Sequence, residues 1–280
     1  MALFASLTTE IKNLQSSLLS NNSLTLQWCV EAMTLLKKLH SQFLLIILEK
    51  SKVIPFTWIN DDMLNLYMNE SLYIMELCNM LKSSSFKINM YHLTIDTTIK
   101  NLNHYEAKTF ANMQPIEQRD NKRILIQEMQ RGCCSSLICT IRVAMSLLSY
   151  ILLNVFMYPT KNYNRICCKY SSPIKSFKDS VNELATEFQR KYYKDGERGV
   201  IRFYEYEEME KAIMEAKEEF KSGYEEEETK RIKDVILQKS IALKVGLEKF
   251  ESQVNQVFEE VLKGRNKLLQ MVGKTNGIFR

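Results

Sequence analysis

An all-α fold follows from three features of the chain. Apolar residues recur three and four positions apart over long stretches, almost none alternate at period two, and turn formers are scarce. Only 8 Gly and 4 Pro punctuate 280 residues, far below the roughly 7% and 5% of ordinary proteins. Sandwiches, propellers and nucleotide-loop folds, which need frequent tight turns, are therefore disfavoured. With hydrophobic residues at 45% and charged residues at 25%, the chain can bury a sizeable core. The expected architecture is an elongated antiparallel helical bundle with long N- and C-terminal helices. Residues 1–22 form an N-terminal segment and 23–280 a single bundle domain.

The first long helix is expected from Ser23 to Lys50, with Ser23 as N-cap and Ala32, Leu35, Leu36, Leu39, Phe43, Ile46 and Ile47 on one face. Pro55 breaks the pattern. A second helix from about Asn60 aligns Leu64, Tyr67, Met68, Ser71, Met75, Cys78 and Leu81, and its first turn carries Asp61 and Asp62, which suit a helix N-terminus. It should pack antiparallel to the first. Lys82-Ser83-Ser84-Ser85 reads as a turn, followed by a third helix with Ile88, Tyr91, Ile95, Ile99 and Leu102 that ends before Pro115. Further on, a polar helix spans about Ser176 to Lys194, and Asp195-Gly196 and Arg198-Gly199 are turn signals. A charged helix from Glu205 to Lys221 follows. The last helix has the most regular seam, stepping by four and three through Leu243, Leu247, Phe250, Val254, Val257 and Val261, with Gly264 and Leu268 in register.

An apolar central helix is expected over 132–158, where Arg142 alone is charged from Gly132 to Thr160. Two readings stand: a buried bundle helix, or a membrane-contacting or spanning one. A span needs about 20 apolar residues, and the uncharged run from Val143 to Tyr158 is shorter than that. Ser146, Ser149 and Asn154 also suit a bundle interior. On the membrane reading, Arg142 snorkels and the basic loop over 159–178, with Lys161, Arg165, Lys169, Lys175 and Lys178, flanks the span on the cytoplasmic side.

The formal net charge of +5 and pI near 8.7 are too mild to imply nucleic acid, and no nucleic-acid partner is expected. Tyr163 and Tyr170 among the loop cations make only a faint single-strand binding pattern. The acidic run from Glu205 to Glu228 reads as a solvated helix face. The N-terminal residues make a poor signal peptide, since Glu10 and Lys12 interrupt any apolar centre, so the expectation is an intracellular protein, cytoplasmic or membrane-associated and not secreted.

Signatures of chemistry are weak. Seven cysteines form no CxxC and no disulfide or zinc spacing. Cys133-Cys134 and Cys167-Cys168 bracket the apolar stretch, as small core fillers or as acylation sites beside a membrane helix. His40, His92 and His104 sit on separate helical segments with no converging spacing. Gly273-Lys274-Thr275 lacks the glycine that a phosphate loop needs at position 268, where Leu stands, and reads as a frayed helix end. Glu205, Glu207 and Glu208 project apart around a helix. Trp28 and Trp58 suit bundle-end anchors. No catalytic, cofactor-binding or metal residue and no cofactor is expected, and the chain reads as a non-enzyme.

Two blocks of sequence carry a resemblance. Gln27-Trp28-Cys29-Val30-Glu31-Ala32-Met33, Leu39-His40 and Met75-Glu76-Leu77-Cys78-Asn79-Met80 resemble the plant BYPASS family, also grouped as ROH-type proteins. Gly246-Leu247-Glu248 and the run from Glu259 to Leu269, with Gly264-Arg265-Asn266, are similar to that family's closing helix. The likeness concentrates at these two ends. It implies a plant protein without enzymatic chemistry that acts in root and shoot development by restraining production of a mobile root-to-shoot signal. Relatives are associated with the exocyst and membranes. The expected partners are proteins, with membrane contact through 137–158 and the basic loop 159–178. A single-pass membrane or exocyst-associated scaffold, and a small-molecule binder or enzyme of signal metabolism, remain as alternatives.

Overall fold

The computed structural model describes residues 2–20, 23–53, 61–100, 136–157, 175–194, 197–198, 202–222 and 226–278. Among them are seven helices: α1 (Ala2–Ser20), α2 (Leu26–Val53), α3 (Asp61–Lys100), α4 (Ser136–Phe156), α5 (Lys175–Tyr192), α6 (Tyr204–Ser222) and α7 (Glu226–Ile278). Two-residue strands β1 (Tyr193–Lys194) and β2 (Glu197–Arg198) pair antiparallel on either side of the expected 195–196 turn. The all-α bundle is thus the observed fold.

α7, 53 residues long, is the spine. Its seam residues Leu243, Leu247, Phe250, Val254, Val257, Val261 and Leu268 are all buried, and each contributes about 2 kcal/mol on leaving water. Contacts along α7 fix the directions of its neighbours. Gly246 meets Leu26, Lys37 bonds Gln256, and Ser41 bonds Glu260, so α2 advances parallel to α7. On α3 the order is reversed: Tyr67 meets Gly264, Lys82 lies over Phe258, and Ser85 bonds Glu251. α3 therefore opposes both α7 and α2. α1 opposes α2 through Glu10–Lys38 and through the Trp28 indole N–H, which donates to the Leu14 carbonyl. α4 enters the centre, where Phe156 stacks on Phe250 at 4.3 Å and Tyr150 meets Phe188 of α5 edge-on.

Several local expectations need correction. The N-cap of the first long helix is Thr25, whose Oγ1 accepts the Trp28 N–H at 3.1 Å, while Ser23 donates to Glu207 instead. The Lys82–Ser85 turn does not exist, since α3 runs unbroken for 40 residues. That stretch holds no Gly or Pro to stop a helix, and Ser84 and Ser85 are buried as small residues in the packing. The N-terminal segment is helical and joins the core through Leu7, Ile11, Leu14 and Leu18. Residues 175–178 of the expected basic loop are already the first turn of α5, whereas 159–174 lie outside the described residues. The helix end expected near Gly273 is absent, because α7 continues to Ile278.

Candidate functional site

The residues that suggested chemistry have become joints between helices. His40 on α2 is 1% exposed, and its ring lies 5.3 Å from that of Tyr67 on α3. Neither of its nitrogens nor the Tyr67 hydroxyl has a hydrogen-bond partner among the described residues. Burial lowers the His40 pKa to about 4, so the imidazole is neutral at physiological pH. His92, also buried, meets the Ser240 backbone on α7, and His104 lies outside the described residues.

Two of the acidic trio reach the start of α2 and the third reaches α7. Glu205 accepts the Leu26 N–H, Glu207 accepts the Ser23 hydroxyl, and Glu208 pairs with Lys239 at 2.8 Å. Cys29 and Cys78 are free, buried thiols; burial pushes Cys78 up to about 12 and Cys29 higher still, which removes thiolate reactivity. Cys139 is disulfide-bonded, a bridge that the cysteine spacing did not suggest. Cys133-Cys134, Cys167-Cys168 and Trp58 lie outside the described residues. No group of three or more His, Cys, Asp or Glu among the described residues is placed to hold a metal ion.

Three further features stand out. A groove of about 580 Å³ opens between α1, α2 and α7. Polar side chains bond across it: Lys38 pairs with Glu10 at 2.9 Å, Lys37 donates to Gln256 at 3.0 Å and Ser41 donates to Glu260 at 3.3 Å. This is a polar cleft, unlike the apolar pocket typical of small-molecule sites. On the outer face of α3, Phe86, Met90 and Leu93 are exposed at 62%, 47% and 44% and step by four and three. Within the core, Arg142 of α4 pairs with Glu70 of α3 at 2.5 Å, their side chains 6% and 3% exposed. Burial pushes the Glu70 carboxyl up and the Arg142 guanidinium pulls it back.

The C-terminal block that carried the resemblance packs against residues that flank the N-terminal one. Gly246 packs on Leu26, next to the Gln27 block. Gly264 lies against Tyr67 and Leu44, and Arg265 donates to the Met68 carbonyl and to Ser71 Oγ, both at 2.7 Å. Residues 143–272 match the family model described as Protein ROH1-like. Over that stretch the chain is similar to the ROH1-like family. The match runs from α4 into the end of α7 and includes the middle of the chain. The N-terminal similarity, residues 27–80, rests on its motifs alone. No curated protein and no solved structure matches the chain.

Proposed function

We propose that this ROH1-like protein is a non-enzymatic, BYPASS-type regulator of plant root and shoot development, restraining production of a mobile signal through contacts with proteins or with a membrane surface. The observation that carries the reading is the family match together with the use of ionisable side chains as helix joints. Protein contact is supported by the α3 stripe of Phe86, Met90 and Leu93, whose spacing suits an amphipathic partner helix. Membrane contact is supported by α4, whose segment Leu137–Phe156 is apolar enough to span a bilayer yet is mostly buried in the bundle.

Affinity purification of the tagged chain from plant tissue tests the protein-contact part. A stable set of bound proteins that is lost from the Phe86→Ser, Met90→Ser, Leu93→Ser variant is expected; the same set on both would remove the α3 stripe from the account. Charge reversal at Lys161, Arg165 and Lys169 should lower the membrane-bound fraction, and an unchanged partition would dispose of the membrane-surface part.

A further inference from the structure

We infer that α4 is a latent bilayer-inserting helix, held inside the bundle by the Glu70–Arg142 ion pair. The inference rests on the membrane contact proposed above and gives it a control. Leu137–Phe156 is 20 residues long with mean hydropathy 1.8, the dimensions of a membrane span, and it is buried among amphipathic helices. Such a segment exchanges one apolar environment for another when it leaves a bundle for lipid, so the groups that oppose transfer are its polar ones.

Two of these are met within the helix. Ser149 Oγ donates to the Met145 carbonyl at 2.8 Å, and Asn154 Nδ2 donates to the Tyr150 carbonyl at 2.6 Å. Both bonds travel with the helix. Arg142 instead reaches across to Glu70, through Nε at 2.6 Å and a second guanidinium nitrogen at 2.5 Å. Parting these two leaves a buried carboxylate on α3 and a cation on α4, and that penalty holds the helix in. Arg142 lies near the N-terminal end of the segment, where a long side chain can reach lipid headgroups. Glu70 Oε2 has no partner among the described residues, so Arg142 is its principal compensation. The anionic headgroup of phosphatidylserine offers Arg142 a replacement for that carboxylate, which makes an anionic bilayer the matching partner.

The test floats the full-length chain with vesicles of phosphatidylcholine and phosphatidylserine, then extracts the bound fraction with alkaline carbonate. Glu70→Gln removes the charge while keeping the shape, and it should raise the carbonate-resistant fraction by about tenfold or more, given the size of a broken buried pair. The exchanged pair, Glu70→Arg with Arg142→Glu, should bring that fraction back towards the starting level. Circular dichroism of each variant checks that it is folded. Should Glu70→Gln not fold, the unsubstituted chain still decides: protease digestion of its vesicle-bound form should leave a protected fragment covering 137–156, seen by mass spectrometry. Floated protein that carbonate releases in full, with no protected fragment, overturns insertion while leaving surface contact intact. A chain that does not float in any form overturns both.

Discussion

The Glu205 carboxylate on α6 accepts the backbone N–H of Leu26, the first residue of α2, with both oxygens, at 3.1 and 3.0 Å. A carboxylate thereby sits at the positive end of a 28-residue helix although it comes from a residue 179 positions away. Leu24 and Phe203 bridge beside it, and the Tyr204 N–H donates to the Leu24 carbonyl at 2.6 Å, so the starts of α2 and α6 form one knot. Glu205→Ala should lower stability by about 1–2 kcal/mol, the worth of a cap plus a charge-assisted bond. Glu205→Gln should recover part of it. Urea denaturation of the three proteins gives the comparison.

Replacing a glycine by alanine inside a helix ordinarily stabilises it by about 1 kcal/mol. At Gly264 the sign should reverse, because an added methyl would overlap the Tyr67 hydroxyl and press on Leu44 Cδ2 at 3.0 Å. A loss of about 2 kcal/mol is expected from this overpacking. Tyr67→Phe removes the obstructing oxygen, so the double variant should be more stable than Gly264→Ala alone. At Gly246 the nearest atom is the flexible tip of Leu26, Cδ1 at 2.6 Å, and the loss should be smaller. Thermal melts of the four variants would order them.

Acid should weaken the fold through His40. Its pKa falls from the ordinary 6.5 to about 4 because burial disfavours the imidazolium. Between those values the unfolded chain binds more protons than the folded one, so stability decreases as the pH falls through that window and is fully present above it. The expected loss from His40 between about pH 7 and about pH 5 is roughly 2 kcal/mol. In His40→Phe, which keeps a ring beside Tyr67, this part of the pH dependence should vanish, and denaturant titrations at the two pH values show whether it does.

Trp28→Phe should loosen α1 selectively. The indole N–H donates at 2.9 Å to the Leu14 carbonyl, tying α1 to α2 where Lys38 and Glu10 form their surface pair. Losing the bond removes about 1 kcal/mol. Amide hydrogen exchange should then accelerate in α1 and stay near its original rate in α7.

The helices were legible in the chain because burial at period 3.6 leaves a mark in every turn, and the seam of α7 is a full example. α3 shows where that legibility stops. Its serine run has the composition of a turn, yet it is helical, with Ser84 and Ser85 buried in the packing and Ser85 donating to Glu251, 166 positions distant. Ser23 likewise has the chemistry of a cap, but Glu207 takes its hydroxyl and leaves the role to Thr25. The groove and the Glu70–Arg142 pair are beyond local pattern altogether, since each needs helices brought together from separate parts of the chain. Arg142 could be singled out as the one charge in an apolar stretch, but its partner could not.

The parallel alignment of α2 with α7 bears on how the protein is made. Residues near Leu26 leave the ribosome more than 200 positions before Gly246, the residue they pack against. Until the last helix is synthesised, the apolar faces of α2, α3 and α4 lack the surface that closes over them, and a nascent chain in that state invites aggregation. Folding must wait until α7 has been made, so production of this protein should depend on chaperones that shield the earlier helices until α7 arrives.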